Sequence, residues 1–274
     1  MNTAVRHGPV AASWWRVVAV AQRHAYVLWR SPHRLFDVVL WPVVDTLLFG
    51  SIGVYAASRA LGAGQQVVAY LLIGMVLWQV VYQSQINLST GFLEETWSRN
   101  VLNLMVTPLR EWEYGAGLAL FGLAKMIGGL IAVTLLAVTA YAFDVSGLGF
   151  ELLPFAALLL AIGWAIAMFV VALVLRFGSG AEALAWGVLF AMMPLSGVFY
   201  PVAALPAPLQ PIAQVLPTTH VFTAGRTLVA GGPMPWDELA VAAAGTAVMV
   251  GAALAFLVWM LRVFRRRGFI TRYS

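Results

Sequence analysis

Asp45 and Lys125 are ionisable residues set inside long apolar stretches, each about ten residues beyond the start of its run. An ionised side chain in hydrocarbon costs several kcal/mol unless it faces protein or water. At a helical rise of about 1.5 Å per residue, both would reach a depth of roughly 15 Å. The spacing therefore suggests an Asp45–Lys125 ion pair that locks two helices together, the alternative being that each side chain snorkels or finds water separately. Gln79, Gln83 and Asn87 follow one another at intervals of four on another apolar stretch, with Trp78 and Tyr82 beside them. Residues four apart share a helix face, so Gln79, Gln83, Asn87 and Tyr82 are candidates to line a pathway or to bind a partner subunit. The alternative is helix packing, where such polar contacts contribute roughly 0.6–2 kcal/mol each.

Catalytic constellations are missing. His7, His24 and His33 lie in the basic N-terminal segment, and His220 follows Pro217-Thr218-Thr219 with no acid or second histidine spaced to share a metal. His220 reads as a hydrogen-bonding residue. The sole lysine, Lys125, follows Ala124 and precedes Met126, whereas a phosphate-cradling loop needs Gly-Lys followed by Ser or Thr. No catalytic residue, metal site or cofactor is assigned to the chain.

These groups require elements that can carry them through an apolar medium. The chain is 62% hydrophobic and only 10% charged, with a mean hydropathy of +0.87, so a water-soluble domain would lack the polar surface to cover itself. The absence of Cys excludes disulfides and thiolate chemistry. A spanning helix needs roughly 20 mostly apolar residues, and six stretches qualify: 35–57, 67–86, 115–143, 152–175, 183–199 and 239–261. The fifth is short, and the proline-rich segment behind it could extend or re-enter the membrane. The expected fold class is all-α integral membrane, with six transmembrane helices, an N-terminal amphipathic interfacial helix and extracellular re-entrant helices before the last span. One transmembrane domain fills 1–274: tail and interfacial helix over 1–34, spans over 35–261, and a basic tail over 262–274.

The arginines orient this arrangement. Arg6, Arg16, Arg23, Arg30 and Arg34 precede the first span, Arg262, Arg265, Arg266, Arg267 and Arg272 follow the last, and Arg99, Arg110 and Arg176 lie in the connections of the same face. Only Arg59 and Arg226 lie opposite. The positive-inside rule then places both termini in the cytoplasm of a plasma-membrane protein. The pI of 9.9 reflects this one-sided charge, which anionic lipid explains without nucleic acid. The first 34 residues hold no apolar run of signal-peptide length, so insertion is expected to use the internal helices.

Before the first span, Trp14, Val18, Ala21, Ala25 and Leu28 recur at helical spacing opposite Arg16, Arg23 and Arg30. This predicts an interfacial helix whose apolar face enters the headgroup boundary while its arginines meet anionic lipid. The connection 91–113 is read as a charged loop carrying a short amphipathic helix ended by Pro108. Segment 200–236 interleaves seven prolines with apolar residues, too many for a free loop, and reads as proline-broken helices dipping into the outer leaflet.

Ordered landmarks then resemble a family. Ser196-Gly197, Phe199-Tyr200-Pro201, Leu205-Pro206, Leu216-Pro217-Thr218 and Arg226, with Glu94-Glu95 through Asn100, Leu104 and Thr107-Pro108-Leu109, look like the permease subunit of type-2 ABC transporters. The resemblance implies an export channel of two permease subunits, identical or different, driven by separate subunits that bind ATP and Mg. It further implies that Glu94, Glu95, Arg99, Asn100, Leu104 and Pro108 belong to the ATPase-coupling segment. Pro201, Pro206, Pro217 and Arg226 would belong to a re-entrant pair capping the pathway. The apolar spans point to a hydrophobic or amphipathic cargo such as a drug or lipid-like compound. Polysaccharide or glycolipid export is the alternative, and a membrane-embedded lipid or glycan enzyme or an ion-coupled carrier are readings of other classes.

Overall fold

A computed structural model describes residues 9–59, 64–97, 106–141, 146–178, 180 and 182–267. Every regular element among them is helical. The chain runs α1 (Pro9–Trp29), α2 (Pro32–Arg59), α3 (Gly64–Trp97), α4 (Glu111–Tyr141), α5 (Leu153–Phe177), α6 (Glu182–Leu195), α7 (Gln210–Val215), α8 (Pro217–Val229) and α9 (Trp236–Arg267). Short 3-10 turns at Ser146–Leu152 and Val202–Ala204 join α4 to α5 and α6 to α7.

Helix α3 is the hub, packing against α2, α4, α5, α6 and α8. Its Ile73, Leu77, Val80 and Val81 are buried with Phe155, Leu159, Ile162 and Val170 of α5. The helices meet closely because Gly163 has no side chain: a Cβ there would stand 1.8 Å from the Ser84 hydroxyl and 2.9 Å from the Val81 carbonyl. Small residues at crossings are the usual route to tight packing where lipid gives no hydrophobic push. Helix α9 covers α5 and α8, and α1 lies along α4.

Among the described residues, five helices are long and apolar enough to cross a membrane: Val38–Arg59, Val67–Glu95, Trp112–Tyr141, Gly149–Phe177 and Trp236–Val263. The exposed residues Ile127, Ile131, Leu135, Val248 and Val258 on their outer faces are apolar, as lipid contact requires. The expected crossing at 183–199 differs. Its helix α6 has 14 residues with Pro194 near the end, about 21 Å at the helical rise and short of a hydrocarbon core of about 30 Å.

A second departure concerns 91–113. Instead of a loop from Gly91, α3 continues to Trp97, and α4 already begins at Glu111. The charges that marked a loop lie largely on the facing helix ends, where Glu95 and Glu113 are buried. Arg99, Asn100 and Leu104 lie outside the described residues, whereas Pro108 occupies an exposed turn before α4.

Candidate functional site

At the arginine-rich end, α1 clasps the facing ends of α3 and α4. Glu113, third residue of α4, accepts the backbone N–H of Arg110 at 2.9 Å, the reach-back of a helix N-terminal cap. The same carboxylate accepts Arg16 Nε and Nη2 at 2.8 and 2.7 Å, and also the Ser13 hydroxyl. Glu95, near the end of α3, accepts Arg23 Nη1 and Nη2 at 2.6 and 3.1 Å, with His24 Nε2 at 3.5 Å. Both carboxylates are buried, while the arginines stay partly exposed. Two-pronged guanidinium–carboxylate bonds are among the stronger and more directional polar contacts. Hydrogen bonding to Glu113 raises the Arg16 pKa above its ordinary value, and bonding to Glu95 does the same for Arg23.

Ser13, Val17, Val20 and His24 form the buried face of α1. A Cβ on Gly117 of α4 would meet Val20 Cβ at 2.5 Å, so glycine there admits the contact. The predicted apolar face of Trp14, Val18, Ala21, Ala25 and Leu28 is at least partly exposed, as a lipid-facing stripe should be. The arginine face corrects the expectation: Arg16 and Arg23 turn to protein carboxylates rather than to lipid headgroups. Helical spacing shows that these arginines share a face, but not what stands opposite it.

Inside the apolar zone, the predicted Asp45–Lys125 pair is not formed among the described residues. Gly50 and Gly129 show why. A Cβ on Gly50 would strike the Tyr141 ring, and one on Gly129 would lie 3.7 Å from the Val38 carbonyl. Helices α2 and α4 thus run side by side at an offset of 91 residues, and Lys125 is level with residue 34, roughly 16 Å from the level of Asp45. Counting from the start of each apolar run misled because the first turns of α4 pack under α1. The Lys125 ammonium lies 5.8 Å from the Phe121 ring centroid, and Asp45 Oδ2 accepts Gln79 Nε2 at 3.4 Å.

Gln79, Gln83 and Asn87 do share a face, turned inward to α2 and α4 within the subunit. Asn87 Nδ2 donates to the Gly122 carbonyl at 3.3 Å, and Gln83 Nε2 sits 3.4 Å from the Cβ position of Gly129. Tyr82 points elsewhere, with its ring 6.1 Å from that of Trp186 on α6. Gln79 Oε1 and Asn87 Oδ1 are buried without a hydrogen-bond partner. A second buried polar pair escaped the sequence reading, with Gln85 Nε2 donating to Ser89 Oγ at 3.1 Å. Its own i,i+4 spacing was the available signal.

At the proline-rich end, Gly197 has φ +63°, a backbone region open mainly to glycine, and turns the chain at the end of α6. The turn is tied on several sides. Ser196 Oγ and Thr218 Oγ1 are 2.6 Å apart. Arg226 donates to the Gly197 carbonyl and lies 4.9 Å from the Tyr70 ring centroid, and Phe199 stacks on Phe49 at 3.9 Å. Pro217 opens α8, where its missing N–H costs nothing. Pro201 precedes the 3-10 turn, and Pro206 accepts the Leu209 N–H at 2.8 Å. The prolines thus start or turn elements rather than break them. His220 is hydrogen-bonded as expected, to the Gln214 carbonyl at 2.9 Å and, unforeseen, to Glu238 Oε2 at 2.7 Å.

A sequence model of the ABC-2 type transporter family matches residues 15–229. The chain belongs to the ABC-2 type transporter family. Comparison with curated proteins finds no match. The family match begins on α1 and ends with the last residue of α8, so both arginine–glutamate pairs of the clasp, the amide stripe and the proline-rich turn fall within it. Family membership and the apolar helices make this a multi-pass membrane permease, and imply an ABC ATP-binding subunit as its working partner.

Proposed function

We propose that this chain is the permease subunit of an ATP-driven exporter in the plasma membrane. Two permease subunits form the pathway for a hydrophobic or amphipathic substrate, drug-like or lipid-like, and separate subunits bind ATP and Mg. The observation that carries this reading is the family match across α1 to α8. Both termini are cytoplasmic in this reading, and the chain crosses six times. The short α6 completes its crossing through the Ser196–Gly197 turn and the segment behind it, which re-enters from outside.

The ATPase docks on the segment between α3 and α4, including Glu94, Arg99, Asn100, Leu104 and Pro108. The α1 clasp supports this placement because it steadies both helix ends from which that segment springs. Gln79, Gln83 and Asn87 act mainly as packing contacts, since they are buried inside one subunit, while Tyr82 remains a candidate to line the pathway.

The test is affinity purification of the tagged chain from its native membrane. A co-purifying ABC ATPase is expected, with ATP turnover that falls when residues 99–104 are replaced by a Gly/Ser segment. Purification with no nucleotide hydrolase, or turnover indifferent to that replacement, would overturn the assignment. Cysteine labelling at residues 2 and 273 from the cytoplasmic side tests the crossing number. Labelling of the two ends from opposite sides refutes six.

A further inference from the structure

Asp45 lies seven residues inside Val38, the start of its span, roughly 10 Å along the helix. Among the described residues no lysine, arginine or histidine pairs with it; its hydrogen bond comes from the neutral amide of Gln79 at 3.4 Å. The carboxylate is only part-buried. Trp41, Leu48 and Ile52 fall on its face of α2 at spacings of four, three and four, and are 54%, 53% and 45% exposed. The neighbouring unsatisfied atom, Gln79 Oε1, is a buried acceptor. The patch thus offers an acidic group, an aromatic face and apolar walls and, among the described residues, no cation of its own.

We propose that the Trp41–Asp45–Leu48 face of α2 recognises the positive charge of the exported substrate, which is a lipophilic amine or quaternary cation. This rests on the export reading above and names its substrate class. Lipid alone leaves a carboxylate at this depth uncompensated, at a cost of several kcal/mol. A cation there gains a Coulomb interaction strengthened by the low dielectric and can lie on the face of Trp41. Its hydrocarbon parts replace lipid against Leu48 and Ile52. A neutral or anionic amphiphile of the same shape leaves the carboxylate unmatched.

Tetraphenylphosphonium and tetraphenylborate are near-isosteric lipophilic ions of opposite charge, and they separate shape from charge. With the full chain in lipid nanodiscs, and empty nanodiscs as the partition control, tetraphenylphosphonium is expected to displace bound rhodamine 6G while tetraphenylborate does not. Asp45→Asn should weaken tetraphenylphosphonium binding about tenfold or more, Asp45→Glu should largely restore it, and Trp41→Leu should weaken it about threefold. Equal displacement by the two ions, or undiminished binding to a folded Asp45→Asn chain, overturns the proposal, and the wild-type comparison needs no variant at all. Loss of dimer in Asp45→Asn without any tetraphenylphosphonium binding to the wild type assigns this face to a second copy and also overturns it. Assembly of the ATPase complex is scored separately. A complex that hydrolyses ATP but ignores the cation defeats this inference alone, whereas cation binding without any ATPase partner defeats the export reading and leaves the site.

Discussion

The two ends of the helix bundle solve the problem of buried charge in opposite ways. At the arginine-rich end, the buried Glu95 and Glu113 meet arginines from another helix. At the proline-rich end, Arg226 meets a carbonyl, a hydroxyl and a tyrosine ring, and no acid among the described residues. Arg16 and Arg23 keep contact with water, so their ion pairs can part and re-form at modest cost. The proline-rich turn is held by close packing, a buried hydroxyl pair and a part-buried guanidinium that bonds a neutral carbonyl instead of a carboxylate. The comparison teaches that one end is built to yield and the other to hold.

That contrast can be broken by experiment. The largest effect is expected at the proline-rich turn, where a Cβ on Gly74 of α3 would meet the Val198 carbonyl at 2.2 Å. Gly74→Val should destabilise the chain by about 3 kcal/mol, the upper range for forced overpacking, read as thermal unfolding in detergent. Arg226→Gln comes next, at about 1–3 kcal/mol, because it strips the donor from the Gly197 carbonyl. Arg226→Lys should rescue little, since one ammonium cannot reproduce the fork and the stacking on Tyr70. Ser196→Ala should cost about 1 kcal/mol for its buried hydroxyl bond.

At the other end, Arg23→Gln should cost about 1 kcal/mol or less, given that nearly half of its side chain is exposed. The charge swap Arg23→Glu with Glu95→Arg should recover most of what either reversal loses. Salt sharpens the comparison further. Raising it from about 0.1 M to 1 M shortens the screening length from about 10 Å to 3 Å, so hydrogen exchange in α1 should quicken while exchange around 196–226 stays unchanged. Equal salt response at the two ends would refute the contrast.

Much of the fold was legible because apolar run length and helical spacing are local properties. The long helices, the amphipathic α1 and the helical proline-rich segment follow from them. The limit shows at Glu94 and Glu95, where charge suggests a loop although both residues are part of α3 and Glu95 is buried. It shows again at α6, where an apolar run already short for a crossing contains Pro194 and a glycine turn that end the helix earlier still. For the candidate site, the sharing of one face by Gln79, Gln83 and Asn87 was readable, as was the hydrogen-bonding role of His220. Their partners were not, since Asp45, Gly122 and Glu238 come from other helices.

The sequence by itself therefore determined that this chain is a set of apolar membrane helices preceded by an arginine-bearing amphipathic helix, because composition and periodicity act within one element. Only the tertiary structure decided that Arg16 and Arg23 clasp Glu113 and Glu95, and that Asp45 takes Gln79 instead of Lys125. Those outcomes depend on the stagger and rotation of one helix against another, which glycine contacts such as Gly50 to Tyr141 and Gly117 to Val20 set through close packing, and no spacing along a single helix encodes them.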